Sequence, residues 1–542
     1  MLILSFKEGH DGAVAALDDG RLLFSLEAEK DNFPRFDRLT AEVVARALDR
    51  LPRPPDVVAV GGWVKGFFTT EPKALTGYFG VGPGSVSDGR GRFAGFDVRR
   101  FSSTHERSHI MSSYGMAPII EGEPCYALVW EGNIGSFYRV DSSGRIEHLK
   151  HVMTDPGSKY AFPFAVADPA FRASAGTGTG TGTSTSTSTS TSTSTGTVRL
   201  HDAGKVMALT GFAEKGPATE AEQDVIDFIL AQEALVHEVS KDDPRLARWR
   251  DVGVSAQGFK NLAARHSEAI FDRFHDWAAA HLREGLPLLI SGGCGLNCEW
   301  NRRWAESGLF SQVFVPPVPN DSGSALGTAI DAQHHYTGVA AIDWDVHAGL
   351  EFVQDTAFDP ARYHTRDLDP AEVAAFLAEG TVIAWVQGRW EMGPRALGHR
   401  SLLAAPFDAG MTQRLNRIKK REPYRPIAPV VLESEAHRWF RGSIPDPYML
   451  YFSEVTTPEL AAVTHVDGTA RTQTVNRHQN PELAALLAAF GERTGFSVLC
   501  NTSLNFSGRG FINRTSDLIA YGERHGLDGY VVGGSFITKR GS

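Results

Sequence analysis

The sequence predicts a mixed α/β protein of more than one domain, on three observations. Residues 2–30, "LILSFKEGHDGAVAALDDGRLLFSLEAEK", read as strand, Gly-rich turn, strand, "DDG" turn and strand, because short apolar runs are punctuated by glycine. Residues 126–150, "YALVWEGNIGSFYRVDSSGRIEHLK", repeat that plan, with "EGNIGS" where "EGHDGA" stood and "DSSG" for "DDG", so the early chain contains an internal duplication. Residues 286–304, "LPLLISGGCGLNCEWNRRW", run from a buried-strand pattern through a Gly-Gly turn into a helix. Turns of this kind let main-chain N–H groups face a phosphate or an acyl oxygen.

A chain of 542 residues is too long for one ordinary core, and two or three domains are expected. With 42% hydrophobic and 22% charged residues it can bury a sizeable core, and its formal net charge of −10 argues against a dedicated nucleic-acid or membrane-surface binder. Cys125, Cys294, Cys298 and Cys500 are irregularly spaced, and the Cys294/Cys298 pair lacks the second pair that would complete a zinc site. A reducing cytoplasm is expected. The opening "MLILSFKEGHDG" has no basic leader and reaches a charge at Lys7, and no apolar run approaches a membrane span, so neither a secretion signal nor a membrane segment is expected.

In "FSSTHERSHIMSSYGMAP", residues 101–118, His105 and His109 stand four apart and would share one helix face. That spacing suits a metal site and suits polar residues on a surface turn equally. The run "GTGTGTGTSTSTSTSTSTSTGT", residues 176–197, has no large side chain to bury and is expected to be a flexible low-complexity insertion with both flanks at the surface. After about residue 360 a second region begins, where "DLDPAEVAAFLAEGTVIAWVQGRWEMGPRALGHRS" opens with a capped amphipathic helix and passes through the strand "TVIAWV". Arg389, Arg395 and Arg400 gather in that stretch, Lys419, Arg421 and Arg425 in "NRIKKREPYRPIAP", and Arg471 in "HVDGTARTQTV". A solvated basic face does not usually alternate Arg with Gly, Pro and apolar residues. In an acidic chain the pattern points to a polyanion pocket, because guanidinium forks match phosphate oxygens two at a time.

Nine elements, "FKEGHDGA", "THERSH", "GKVMAL", "SGGCGLN", "NDSGSALGTA", "GRWEMGPRALGHRS", "KKREPYRPIAP", "HVDGTARTQTV" and "NTSLNFSGRG", occur in this order across nearly the whole chain. Together they resemble the O-carbamoyltransferases of the NodU/CmcH family. The resemblance implies an actin-like (ASKHA) N-terminal domain over 1–358 and a YrdC-like α/β domain over 359–542. It implies a divalent metal held by His105, His109, Glu131 and Asp321, with Fe2+ foremost and Mn2+ or Zn2+ also suited to two imidazoles and two carboxylates. Glu131 stands where the family usually has Asp.

In the YrdC-like domain the family implies that carbamoyl phosphate and ATP, with Mg2+, become carbamoyl adenylate and pyrophosphate. Arg389, Arg395, Arg400, Lys419, Arg421, Arg425 and Arg471 would hold the anions, with Asn501, Thr502 and Asn505 as neutral partners. In the actin-like domain Lys205, Gly292, Gly293 and Asn297 would hold the nucleotide, and His10 or Asp202 would take the proton of the acceptor hydroxyl. The implied acceptor is a small hydroxylated natural product such as an antibiotic precursor with a hydroxymethyl group. No nucleic-acid or membrane partner is implied, and a homodimer is left open. A tRNA threonylcarbamoyladenosine-type transferase is the alternative, but it would call for a basic tRNA-binding face that an acidic chain does not offer.

Overall fold

A computed structural model describes residues 1–30, 36–62, 76–119, 122–171, 194–195, 198–233, 235, 239–442 and 444–540. Most of the low-complexity run, 176–193 and 196–197, lies outside the described residues, while Ser194–Thr195 pairs with Val198–Arg199. The protein is mixed α/β, as expected.

Leu2–Lys7, Ala13–Asp18 and Arg21–Glu27 form an antiparallel meander. Its second turn is Asp19-Gly20, with φ of 47° and 83°. Two positive-φ residues are what a two-residue hairpin with the natural strand twist requires, and Asp-Gly tolerates them. Val57–Gly61 joins parallel to the first strand and Phe96–Ser103 parallel to that, with Val86–Phe93 on the edge. The second copy repeats the arrangement. Cys125–Trp130, Gly135–Val140 and Ile146–His151 form the meander, followed outward by the parallel strands Leu288–Ser291 and Val313–Phe314. Two such sheets, each a meander plus parallel strands beside its first strand, are the duplicated core of an actin-like fold.

Helices His105–Met116 and Gly323–Thr337 pack against each other beside these sheets. Thr104 caps the first, its Oγ1 accepting from the Arg107 N–H at 3.2 Å. Every residue of that helix except Arg107 is buried. It shows no polar face because it has neighbours all round. Small residues allow the approach: a Cβ on Gly327 would stand 1.8 Å from the Ser108 carbonyl oxygen, and one on Gly115 2.6 Å from Ile330 Cγ2. Arg107 donates to both oxygens of buried Asp331 at 2.7 and 2.8 Å, and Ser108 Oγ lies 2.8 Å from Thr328 Oγ1. In the second half an aromatic core holds the long helix Gln257–His281. Trp130 stacks on Trp300 with ring centroids 4.4 Å apart and meets Phe274 at 4.8 Å.

The remaining large sheet has eight strands, all between Tyr363 and Lys539. Its order is Tyr363–Asp367, Ser535–Lys539, Gly529–Val532, Val382–Val386, Arg400–Ala404, Val498–Ser503, Ala428–Leu432 and Gln473–Val475. Helices Pro370–Ala378 and Pro481–Thr494 contribute Val373, Leu377, Leu483 and Leu487 to the core on one face. Helices Ala409–Ile418 and Thr515–His525 contribute Met411, Leu415, Leu518 and Tyr521 to the other. No described helix is long and apolar enough to cross a membrane.

The Gly327 contact positions the two helices that lead to His105, His109 and Asp321. Gly327→Ala forces a methyl group onto the Ser108 carbonyl and is expected to destabilise the protein by about 3 kcal/mol, read as a lowered midpoint in urea unfolding.

Candidate active site

The two ends of the duplicated sheets and the two central helices bring four buried side chains together. His105 and His109 lie on one helix face, Glu131 follows strand Cys125–Trp130, and Asp321 precedes helix Gly323–Thr337. Their donor atoms all lie within 4.8 Å of one another. The two Nε2 atoms are 3.1 Å apart, and Asp321 stands 3.6 Å from His105 Nε2 and 3.4 Å from His109 Nε2. Burial pushes His105 down to about 3, so its imidazole is neutral, and burial together with the Asp321 charge pushes Glu131 up to about 7. Among the described residues none donates a hydrogen bond to the buried Asp321 Oδ2. Converging ring nitrogens and carboxylate oxygens fit a first-row divalent ion.

Neighbours orient these groups. Tyr78 stacks on His105, ring centroids 4.3 Å apart, and donates its hydroxyl to Glu131 Oε1 at 2.9 Å, and the Ile134 N–H donates to the same oxygen at 3.1 Å. These bonds let the longer Glu arm reach the group. The first duplicated turn adds His10, whose Nδ1 is 2.8 Å from Asp11 Oδ2 and whose Nε2 is 3.7 Å from Asp321 Oδ2. Burial lowers the His10 pKa, but Asp321 and Asp11 outweigh it and hold the value above the ordinary one. Lys7 and Asp11, not singled out in the sequence reading, belong here too, and so does Tyr78. Lys7 and Asp11 sit in the "FKEGHDGA" turn that carried the resemblance, whereas nothing in the sequence around Tyr78 marks it.

Gly292 has φ 94°, and a Cβ there would stand 2.4 Å from the Trp130 carbonyl oxygen and 2.7 Å from Glu131 Cβ, so the turn abuts the metal-type group. A Cβ on Gly293 would meet nothing within 4 Å, which leaves its backbone open to a ligand. Asn297 caps helix Cys298–Glu306, its Oδ1 accepting from the Glu299 and Trp300 N–H groups, so that oxygen is already engaged. Asp202 is buried and ion-paired with Arg199 at 2.9 Å and Lys205 at 3.0 Å, and Lys205 reaches Glu422 of the second region at 3.3 Å. His10 pairs instead with Asp11 and Asp321, in a different part of the first region.

The arginines of the second region divide into two kinds. Arg400 is fully buried, and its five N–H donors meet the carbonyls of Gln387, His399 and Gly388 and, twice, Asn513 Oδ1. None is left for a phosphate, which corrects its expected place in an anion pocket. Arg389 likewise donates to the carbonyls of Leu23, Ala348 and Gly349, tying the two regions together. Arg421, Arg425 and Arg471 behave differently. Burial, and then the adjacent Arg425 and Arg471 charges, push Arg421 down to about 9. Among the described residues no acceptor meets the buried Arg471 Nε. Burial raises the Cys298 thiol pKa while Arg395 and Arg471 pull it back, which puts both guanidinium groups beside the start of the first region's helix Cys298–Glu306. Lys419 donates to Ser503 and Asn505, and Asn501 Nδ2 donates to Ala396 O and Gln473 Oε1, with buried Thr502 on the same strand. Guanidinium groups crowded together with too few carboxylates are arranged for a multiply charged anion.

Residues 260–330 match the family described as Carbamoyltransferase N-terminus, and residues 374–539 match Carbamoyltransferase C-terminus. The chain is 48% identical over 544 residues, 99% of each chain, to the 3'-hydroxymethylcephem-O-carbamoyltransferase of Amycolatopsis lactamdurans. It is 48% identical over 545 residues, again 99% of each, to the protein of the same name in Streptomyces clavuligerus. Nodulation protein U of Sinorhizobium fredii is 33% identical over 555 residues, 94% of this chain and 95% of that protein. With these relatives spanning both regions, the chain belongs to the NodU/CmcH family of O-carbamoyltransferases.

Proposed function

We propose that this carbamoyltransferase joins two half-reactions, one in each region, with 1–358 and 359–542 as the working units. In the second, YrdC-like unit, carbamoyl phosphate, ATP and water give carbamoyl adenylate, pyrophosphate and phosphate, the carbamate oxygen displacing pyrophosphate at the α-phosphorus. In the first, an acceptor hydroxyl attacks the carbamoyl carbon and AMP leaves. The observation that carries the reading is Arg421, a half-buried guanidinium whose leading charged neighbours are Arg425 and Arg471. Two polyanions repel each other, and a concentrated positive field that needs no reorganisation is what brings them together. Arg395 and Lys419 extend the field, and Asn501, Thr502 and Asn505 border it. Arg389 and Arg400 hold the surrounding turns.

His105, His109, Glu131 and Asp321 would hold a divalent ion, for which the family points to iron. Such an ion, when bound, supplies Lewis-acid polarisation of carbamoyl or phosphate oxygens. His10 is the base in this reading. Its Nδ1–H donates to Asp11, which leaves Nε2 with a lone pair, and the side chain is 29% exposed, so an acceptor reaches it. Asp202, engaged by two cations, positions Lys205 instead, and the open backbone at Gly293 beside Gly292 lies against AMP. The names of the two relatives at 48% identity support a hydroxymethyl group on a small cephem-type natural product as acceptor. The supply of ATP and carbamoyl phosphate, and four buried cysteines without disulfides, favour the cytoplasm.

Three variants test the division of labour. Arg421→Ala is expected to lower both pyrophosphate release and product formation by about a hundredfold or more, ~2.7 kcal/mol of barrier. His10→Ala should keep ATP- and carbamoyl-phosphate-dependent pyrophosphate release and lose transfer to the acceptor, even when carbamoyl adenylate is supplied. Normal pyrophosphate release by Arg421→Ala, together with its loss in His10→Ala, would reverse the assignment. The double variant His105→Ala/His109→Ala should leave a folded protein without stoichiometric metal by elemental analysis; unchanged metal content would remove these residues from the metal site.

A further inference from the structure

Segment 77–81 is fastened along its length to the start of helix His105–Met116. The Gly77 and Tyr78 carbonyls accept from the His105 and Glu106 N–H groups at 3.3 and 3.0 Å, the Gly80 carbonyl accepts from Thr104 Oγ1 at 2.6 Å, and the Gly80 N–H donates to the Glu106 carboxylate. A backbone held this firmly fixes where its side chains point. Phe79 nevertheless is 66% exposed, more than any other large hydrophobic side chain among the described residues. Its ring meets Tyr78 edge-on, centroids 4.9 Å apart, and is one wall of a cavity of about 280 Å³ that Val81 and Ile134 also line. Residues of both duplicated halves therefore face one space: Phe79 and Val81 precede strand Val86–Phe93, whereas Ile134, Ser136 and His148 belong to the second meander.

The cavity adjoins the group formed by His105, His109, Glu131 and Asp321. Tyr78, one residue before Phe79, stacks on His105, the Ile134 N–H donates to Glu131, and Glu106 in the cavity wall follows His105 in the helix. We propose that this cavity seats the acceptor, with Phe79, Val81 and Ile134 against a flat, largely apolar ring system that bears the hydroxymethyl group and His148 donating to a carboxylate on it. The inference rests on the acceptor reading above. Small-molecule sites are mostly apolar cavities with a few placed polar groups, and this one is at the small end of their range. It has room for a fused bicycle and not for an oligosaccharide. The Glu106 carboxylate is engaged by the Gly80 N–H and the Tyr138 hydroxyl, so it is not presented to an amine-rich ligand. Ser136 Oγ and Thr154 Oγ1 likewise engage the two ring nitrogens of His151, at 3.0 and 2.9 Å. The exposed His148 adds a ring N–H at the rim, which a neutral imidazole offers in either tautomer. Phe79 is the specificity-determining residue, because an exposed aromatic ring gains burial when a flat ligand covers it.

The test uses the full-length protein and a hydroxymethyl cephem carboxylic acid, whose binding is followed by titration calorimetry and whose carbamoylation gives a KM. Phe79→Ala and, to fill the cavity, Val81→Trp are each expected to weaken binding and raise the acceptor KM by about tenfold or more, while the KM for ATP in pyrophosphate release stays within about twofold. Phe79→Tyr keeps the ring and should bind within about threefold of the wild type. His148→Leu is expected to weaken binding of the acid by about fivefold or more and of its methyl ester by less than about twofold. Unchanged acceptor affinity in Phe79→Ala and Val81→Trp overturns the proposal, and so does a loss of pyrophosphate release as large as the loss of acceptor binding. Equal losses for acid and ester in His148→Leu overturn the carboxylate contact. Phe79→Ala, at an exposed position, decides alone should Val81→Trp fail to fold by circular dichroism. A wild type that binds the cephem acid, with the variants unaffected, removes this inference alone, whereas a wild type that neither binds nor carbamoylates it removes the acceptor reading as well.

Discussion

A helix contact with no space for a methyl group underlies the whole transfer site. His105 and His109 come from one helix and Asp321 from the start of another, and their donor atoms meet only if the two backbones nearly touch. Gly327 against the Ser108 carbonyl and Gly115 against Ile330 make that approach sterically feasible. Arg107 and Asp331, joined by two parallel hydrogen bonds, then lock the pair at one rotation. The price of this geometry is a helix whose polar residues, Ser108, Ser112 and Ser113 among them, must all find partners inside the protein.

Much of the fold was legible because its punctuation is local. The duplicated meanders announce themselves through glycine turns and short apolar runs, and the second region through a capped helix followed by a β-branched strand. The spacing of His105 and His109 was equally visible but undecided. What favours the metal reading is the arrival of Glu131 and Asp321 from distant parts of the chain, which periodicity cannot report. Lys7 and Asp11 lay in plain view in the first turn, yet their charges matter only beside Asp321. Arg400 and Arg421 illustrate the opposite difficulty: the same residue type in similar turn-rich surroundings, one with all five donors engaged, the other held by Asn416 Oδ1 and the Pro426 carbonyl and lying near two further guanidinium groups. Asn297 had a readable cue that the nucleotide reading passed over, since an Asn immediately before a helix is a strong capping residue.

The net charge of −10 averages over two sites of opposite character. Carboxylates gather in the first, where Asp11, Glu131 and Asp321 meet, and guanidinium groups in the second. The proposed reading uses that contrast, with a cation at one and a polyanion at the other. Between them runs a chain of ion pairs from Asp202 through Lys205 to Glu422.

The seam between the regions is built around the backbone of Gly393, whose N–H donates to Glu27 Oε1 at 2.6 Å and whose carbonyl accepts from Lys30 Nζ at 2.5 Å. Both side chains are buried and ion-paired with each other at 3.9 Å, so a hinge opening here would take one hydrogen bond from each inside the protein. The seam therefore resists opening. Under the two-step reading proposed above, a closed seam changes what limits the reaction: a mixed anhydride that water destroys would be lost at a rate set by how well the interior excludes solvent, not by release and recapture.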